Sequence, residues 1–151
     1  MKRMAYRVLI NIAVATITLV SGYAAAAEAP AVSVKNARIR LLPGDLPLAG
    51  YFEITNKGHQ SLRLQGATSS AFAMIHMHRS VEKNGQSHMV AVDYIEIDPG
   101  ATVKFAPGGY HLMLMHRRRT LKVGDHVPMA LKFEGGQTIL AGFAVQSAGA
   151  Q

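Results

Sequence analysis

Histidine and methionine crowd into one half of this chain. Beyond residue 28, all six methionines lie between Met74 and Met129, and six of the seven histidines lie between His76 and His126. Two short stretches concentrate them. In Met74-Ile75-His76-Met77-His78 an extended backbone alternates its side chains, so Met74, His76 and His78 share one face and Ile75 and Met77 the other. In His111-Leu112-Met113-Leu114-Met115 the same alternation sets His111, Met113 and Met115 apart from Leu112 and Leu114. The leucines are the natural core residues of that strand, which leaves its His/Met face for other work.

Thioether sulfur combined with imidazole selects Cu(I), whereas zinc prefers thiolate, imidazole or carboxylate and hard cations want oxygen. A thioether has no proton to lose, so it stays available at any pH. In an oxidising compartment it also avoids the disulfides that thiols form there. Taken singly, each residue has an ordinary reading, since methionine fills gaps in cores and histidine is often a satisfied polar group. Two His/Met strands in one exported chain favour the metal.

The amino terminus supplies the export signal. Lys2, Arg3 and Arg7 precede an apolar run, Val8 to Val20, which leads into Ala24-Ala25-Ala26-Ala27 before Glu28. That is the layout of a cleaved secretory signal peptide, and the run is shorter than the roughly 20 apolar residues of a spanning helix. The expected division is a leader over 1–27 and one domain over 28–151, with its core at about 32–145. The expected address is periplasmic, with no stable membrane insertion after cleavage. No cysteine follows the apolar run, so a lipid anchor is not expected.

The formal charge of +7 falls to about +4 once the three leader cations are set aside, which gives no case for nucleic acid. The complete absence of cysteine excludes thiolate zinc sites, redox dithiols, cysteine nucleophiles and blue-copper centres.

The elements that must position the His/Met stretches are short strands set off by turn residues. They are expected over Val32–Leu41, Gly50–Asn56, Leu62–Thr68, Ala73–Ser80, Ser87–Ile97, Thr102–Phe105, Tyr110–Met115, Val127–Phe133 and Thr138–Val145. Between them stand breakers such as Pro43-Gly44-Asp45, Asn84-Gly85, Pro107-Gly108-Gly109 and Gly135-Gly136. Asn-Gly favours a tight hairpin because both residues tolerate positive φ. Turns about every ten residues without a helical period indicate an all-β, antiparallel sandwich or barrel in a single domain.

The interval pattern His78, ten residues, Met89, twenty-one residues, His111, one residue, Met113 resembles the signature of the PCu(A)C family of periplasmic copper chaperones. The likeness extends to Gly50-Tyr51-Phe52, Ile95-Glu96-Ile97, Pro107-Gly108-Gly109-Tyr110 and Leu121-Lys122-Val123-Gly124-Asp125, and it runs from about Val32 to Val145. The resemblance implies a cupredoxin-like barrel with copper near one end. It implies one Cu(I) per chain held by imidazole nitrogen of His78 and His111 and thioether sulfur of Met89 and Met113, with Cu(II) as an admissible second state. It also implies a carrier that supplies the Cu(A) subunit of a respiratory cytochrome oxidase, in some settings beside a Sco-type thiol protein. A monomer is the expected state of a carrier whose site must be reached.

This chain departs from the pattern at Arg79 beside the first histidine, at the basic run His116-Arg117-Arg118-Arg119, and in a tail without the His/Met-rich segment some relatives carry. His76 and His88 are expected to face solvent, with a place in a Cu(II) site or the orienting of a ligand as the alternative, and Met115 to pack, with a reserve sulfur as its alternative. The arginine run reads as a solvated loop or as a docking patch for an acidic partner. Two rival functions remain. One is an exported β-barrel metalloenzyme using His76, His78 and His111, although no Asp or Glu lies on these two strand segments to complete an iron site. The other is a structural β-domain without metal. The carrier reading is the non-enzymatic one, because the motif offers ligands and no nucleophile with a base.

Overall fold

The computed structural model describes residues 31–150, so the expected leader lies outside the described residues. Ten strands follow in chain order: β1 Val32–Leu41, β2 Leu48–Asn56, β3 Leu62–Thr68, β4 Phe72–Lys83, β5 Gln86–Ala91, β6 Ile95–Ile97, β7 Thr102–Phe105, β8 Tyr110–Arg117, β9 His126–Phe133 and β10 Thr138–Ser147. The turn chemistry explains where several of them stop. Asn84 and Gly85 take φ values of 54° and 74°. That is the left-handed pair a two-residue hairpin requires, and it joins Lys83 directly to Gln86 across the β4–β5 ladder.

The strands form one sheet in the order β5-β4-β8-β7-β2-β1-β10-β9-β3-β6, with a further pairing of β8 to β2. The sheet curls around a single core. Phe52 stacks on Phe105 with ring centroids 4.2 Å apart and meets Phe143 edge-on at 5.5 Å. Each such ring, fully buried, contributes about 1.5–3 kcal/mol. Leu112 and Leu114 are buried in the same core, as the alternation in their stretch requires. At Gly50 the approach of β2 to β8 is close, since a Cβ there would lie 3.2 Å from the Cβ of Leu112.

Two expectations need correcting. The stretch Ser87–Ile97 is two strands, not one, because β5 pairs with β4 while β6 pairs with β3. The chain leaves one end of the sheet order and enters the other across Val92-Asp93-Tyr94. The sheet is also not wholly antiparallel. The second half of β1 runs parallel to β10, with Arg38 opposite Ala144 and Leu41 opposite Ser147. β1 passes through an irregularity between Lys35 and Arg38, where Asn36 has φ 53°, and this bends it between its two neighbours.

Buried Asn56 closes the end of β2. Its amide donates to the carbonyls of Gln60 at 2.7 Å and Ile97 at 2.9 Å, and its side-chain oxygen accepts from the Gly58 N–H at 2.9 Å. No helix among the described residues is long and apolar enough to cross a membrane.

Candidate metal centre

The His/Met side chains lie on three adjacent strands, β5, β4 and β8. On the β4–β8 ladder His78 stands directly opposite His111, His76 opposite Met113, and Met74 opposite Met115. Directly opposed residues of an antiparallel pair point to the same side, so these six side chains share a face. On the β4–β5 ladder Met89 is paired with Ser80. Ser80 has the parity of His78, which brings Met89 to that face at the next rung. The four residues named by the interval pattern thus share one face on neighbouring strands, although thirty-five positions separate the first from the last.

Their surroundings differ from those of a packed core. His111 is buried and Met113 half-buried, while Met89 is 63% exposed. Met89, His111 and Met113 line a cleft of about 290 Å³ together with Ala49, Ser80 and Pro107. His78 does not line that cleft. It flanks His111 on the ladder, its ring 5.8 Å from the His111 ring, centroid to centroid, at an interplanar angle of 84°.

One carbonyl organises the pair. Pro107 and Gly108 form a tight turn, with Gly108 at φ 79° and the Gly109 N–H donating to the Ala106 carbonyl at 3.0 Å. The turn sets the Gly109 carbonyl between two donors, the Ser80 N–H at 3.1 Å and the Nδ1–H of His111 at 3.2 Å. That second bond fixes the tautomer of His111 and leaves its Nε2 with a lone pair. Among the described residues, the buried side-chain nitrogens without a hydrogen-bond partner are His111 Nε2 and His78 Nδ1. A buried polar atom left unpaired costs about 1–3 kcal/mol, and here two such atoms occur on adjacent histidines beside two thioethers.

Electrostatics keep the second nitrogen available. Burial lowers the pKa of His78 below its ordinary 6.5, and the neighbouring His111 and His76 rings push it the same way. Its imidazole therefore stays neutral, the form that can donate a lone pair to a metal, further into the acid range than a free histidine.

The other singled-out residues are accounted for. His76 is exposed on the site face. His88 pairs with Val81 and so faces away from Met89. Arg79 points to the opposite side from His78 and lies over the Tyr110 ring at 5.3 Å, so this departure does not crowd the site. Arg117 reaches Asp45 at 4.0 Å and Arg119 reaches Asp125 at 3.8 Å, which ties part of the basic run to the chain itself. Met115, expected to pack, is half-buried and is not part of the core cluster. The role of the Gly109 carbonyl escaped sequence reasoning. The signal for it was the Pro-Gly-Gly turn two residues before His111, which read only as a strand breaker.

Residues 32–145 match the family model described as "Putative lipoprotein LpqE-like". The chain belongs to that family, which is the PCu(A)C family of the sequence resemblance. This PCu(A)C protein is 34% identical over 112 residues to "Putative lipoprotein Lxx21020" of Leifsonia xyli subsp. xyli, an alignment covering 74% of this chain and 67% of that one. The solution structure of Cu(I)-DR1885 from Deinococcus radiodurans is similar to it with a TM-score of 0.64 at 28% identity, covering 82% of this chain and 83% of that one. The copper-bound PCuAC domain from PmoF2 shares the fold with a TM-score of 0.65 at 24% identity, over 78% of this chain and 93% of the domain. The all-β, cupredoxin-like class read from the sequence is the fold observed.

Proposed function

We propose that this PCu(A)C protein is an exported copper carrier that holds one Cu(I) on His78, Met89, His111 and Met113. The observation that carries the reading is the pair of unpartnered buried nitrogens, His78 Nδ1 and His111 Nε2, on a face that also presents Met113 and Met89. Two neutral nitrogens and two thioethers suit a soft monovalent ion. Among the described residues no group of three or more His, Asp or Glu side chains is arranged to hold a metal, so a site here draws on sulfur. That favours a carrier over an enzyme built on His76, His78 and His111. The Cu(I) form of DR1885 and the copper-bound PmoF2 domain support copper as the ion.

The asymmetry of the site suits transfer. The histidine side is anchored by strand pairing and the Gly109 carbonyl, whereas Met89 stands exposed on a strand with solvent-facing residues throughout. A recipient can reach the ion from the Met89 side and displace that sulfur first. The recipient we assign is the Cu(A) centre of a respiratory oxidase in the periplasm, with a Sco-type thiol protein as an alternative exchange partner. Cu(II) can use the two imidazoles but gains little from the thioethers.

The test is anaerobic Cu(I) titration of the chain from Glu28 onward against a chromophoric chelator, with His78→Ala, Met89→Leu, His111→Phe and Met113→Leu beside it. One tight equivalent is expected, weakened in all four variants, with Zn(II) ignored. Tight binding that survives His111→Phe and Met113→Leu would overturn the assignment. Transfer is then followed by mixing the loaded protein with a soluble apo-Cu(A) domain, where the recipient's visible absorption reports copper arrival after reoxidation.

A further inference from the structure

The methionines of the described domain sort into two groups. Met77 and Met129 belong to the hydrophobic core. Met74, Met89, Met113 and Met115 are outside it, on the face that carries the histidines. Met89 and Met113 are used by the carrier site, and Met74 and Met115 are not. Met74 is 42% exposed, so it forgoes roughly two-fifths of the 1.5–3 kcal/mol that full burial of such a side chain brings.

The ladder shows what these residues have beside them. Three rungs succeed one another on the same face: His78 with His111, His76 with Met113, and Met74 with Met115. Opposed Cβ atoms in such a pair lie about 4.5–5.5 Å apart, well within the reach of two flexible methionine side chains converging on one point. His76 sits one rung away, about 7 Å along the strand, exposed and with its ring centroid 6.3 Å from that of His78.

We propose that Met74, Met115 and His76 form a second Cu(I) site, open to solvent and adjoining the first. The proposal rests on reading this face as a Cu(I) surface, and it adds residues that the carrier site does not use. Two thioethers and one imidazole make a three-coordinate set for a soft d¹⁰ ion. The set has one nitrogen fewer than the carrier site and no buried unpartnered atom, so it is the weaker of the two. The middle rung, His76 with Met113, contains one ligand from each site. An ion can therefore pass between the sites by exchanging one donor at a time. The metal stays Cu(I) throughout, and no proton moves, because thioethers and neutral imidazole have none to release on binding. The second site is a loading and unloading position at the far end of the ladder from Met89.

The experiment is anaerobic Cu(I) titration of the Glu28–Gln151 chain with ¹³C-methyl-labelled methionine, read by NMR. In the native protein the Met89 and Met113 methyls shift during the first equivalent. The Met74 and Met115 methyls and the His76 ring shift during the second. Met74→Leu/Met115→Leu keeps the first equivalent and loses the second, and that retained equivalent reports that the variant is folded. Native protein that saturates at one equivalent with the Met74 and Met115 methyls unmoved overturns the proposal. His111→Phe/Met113→Leu separates the two readings. Loss of the first set of shifts with the Met74 and Met115 shifts retained supports both sites. If the native protein shifts only Met74, Met115 and His76, the carrier-site assignment falls and the second site stands.

Discussion

Asn56 and His111 are both buried polar side chains, and the protein treats them in opposite ways. Asn56 ties together Gly58, Gln60 and Ile97, with both its amide nitrogen and its oxygen partnered. His111 satisfies one ring nitrogen on the Gly109 carbonyl and leaves the other with no partner beside an equally unpartnered nitrogen of His78. A polar group kept for architecture is paired, because the penalty for burying it bare is otherwise incurred in full. A group proposed to hold a ligand is left bare at the one atom that ligand would meet. The contrast separates structural from functional polarity in this fold.

Substitutions at the two positions should therefore fail differently. His111→Phe keeps a ring of similar shape and removes the bare nitrogen, while the Gly109 carbonyl retains the Ser80 N–H. Cu(I) affinity should fall by roughly 100-fold or more, at or beyond the upper end of the 10–100-fold seen when only an orienting partner is lost. Apo stability should hold or rise by up to about 1 kcal/mol. Chelator competition and urea denaturation read the two effects separately.

Asn56→Ala should do the reverse. It strips partners from Gly58, Gln60 and Ile97 and should cost about 3 kcal/mol by urea denaturation, with one tight Cu(I) equivalent still bound by the folded fraction. If Asn56→Ala abolished copper binding in protein that remained folded, the separation would fail.

Gly50→Ala probes the border between the regions. The added methyl presses on Leu112, between the two proposed ligands of β8, and overpacking of this kind costs about 1–3 kcal/mol. Both stability and copper affinity should drop, because pushing β2 off β8 at Gly50 disturbs the neighbouring Ala49–Met113 pair.

The smallest effect is on pH. The folded pKa of His78 is lowered from 6.5, so the unfolded chain takes up its proton first. The contribution to apo stability is complete above pH 6.5 and is lost as pH falls from 6.5 through the lowered value. Thermal melts of the apo protein between pH 7.5 and 5 should show that decline, and His78→Gln should reduce it. A pH dependence identical in both proteins would remove His78 as its source.

Much of this was legible in the chain. The Asn84-Gly85 hairpin was readable because the two-residue turn is a local property of residues that accept positive φ. The His/Met faces of β4 and β8 were readable because side-chain alternation belongs to any extended backbone. The division of Ser87–Ile97 was not. Both halves have strand composition, and only their partners, β4 for one and β3 for the other, separate them. Likewise nothing in the residue types of Asn56 or Gly109 announces their partners, which come from distant elements or from a turn read only as a break.

Residue order alone settled which side chains of each stretch share a face and which ion their chemistry suits, because period-two alternation and the chemistry of imidazole and thioether need no partner strand to be stated. It was the folded sheet that put His78 opposite His111, brought Met89 to their side, and left two nitrogens without partners. Register between strands is set by the packing of Leu112, Leu114 and Phe52 in a shared core, and a slip of one residue would turn a strand's His and Met side chains to the other face.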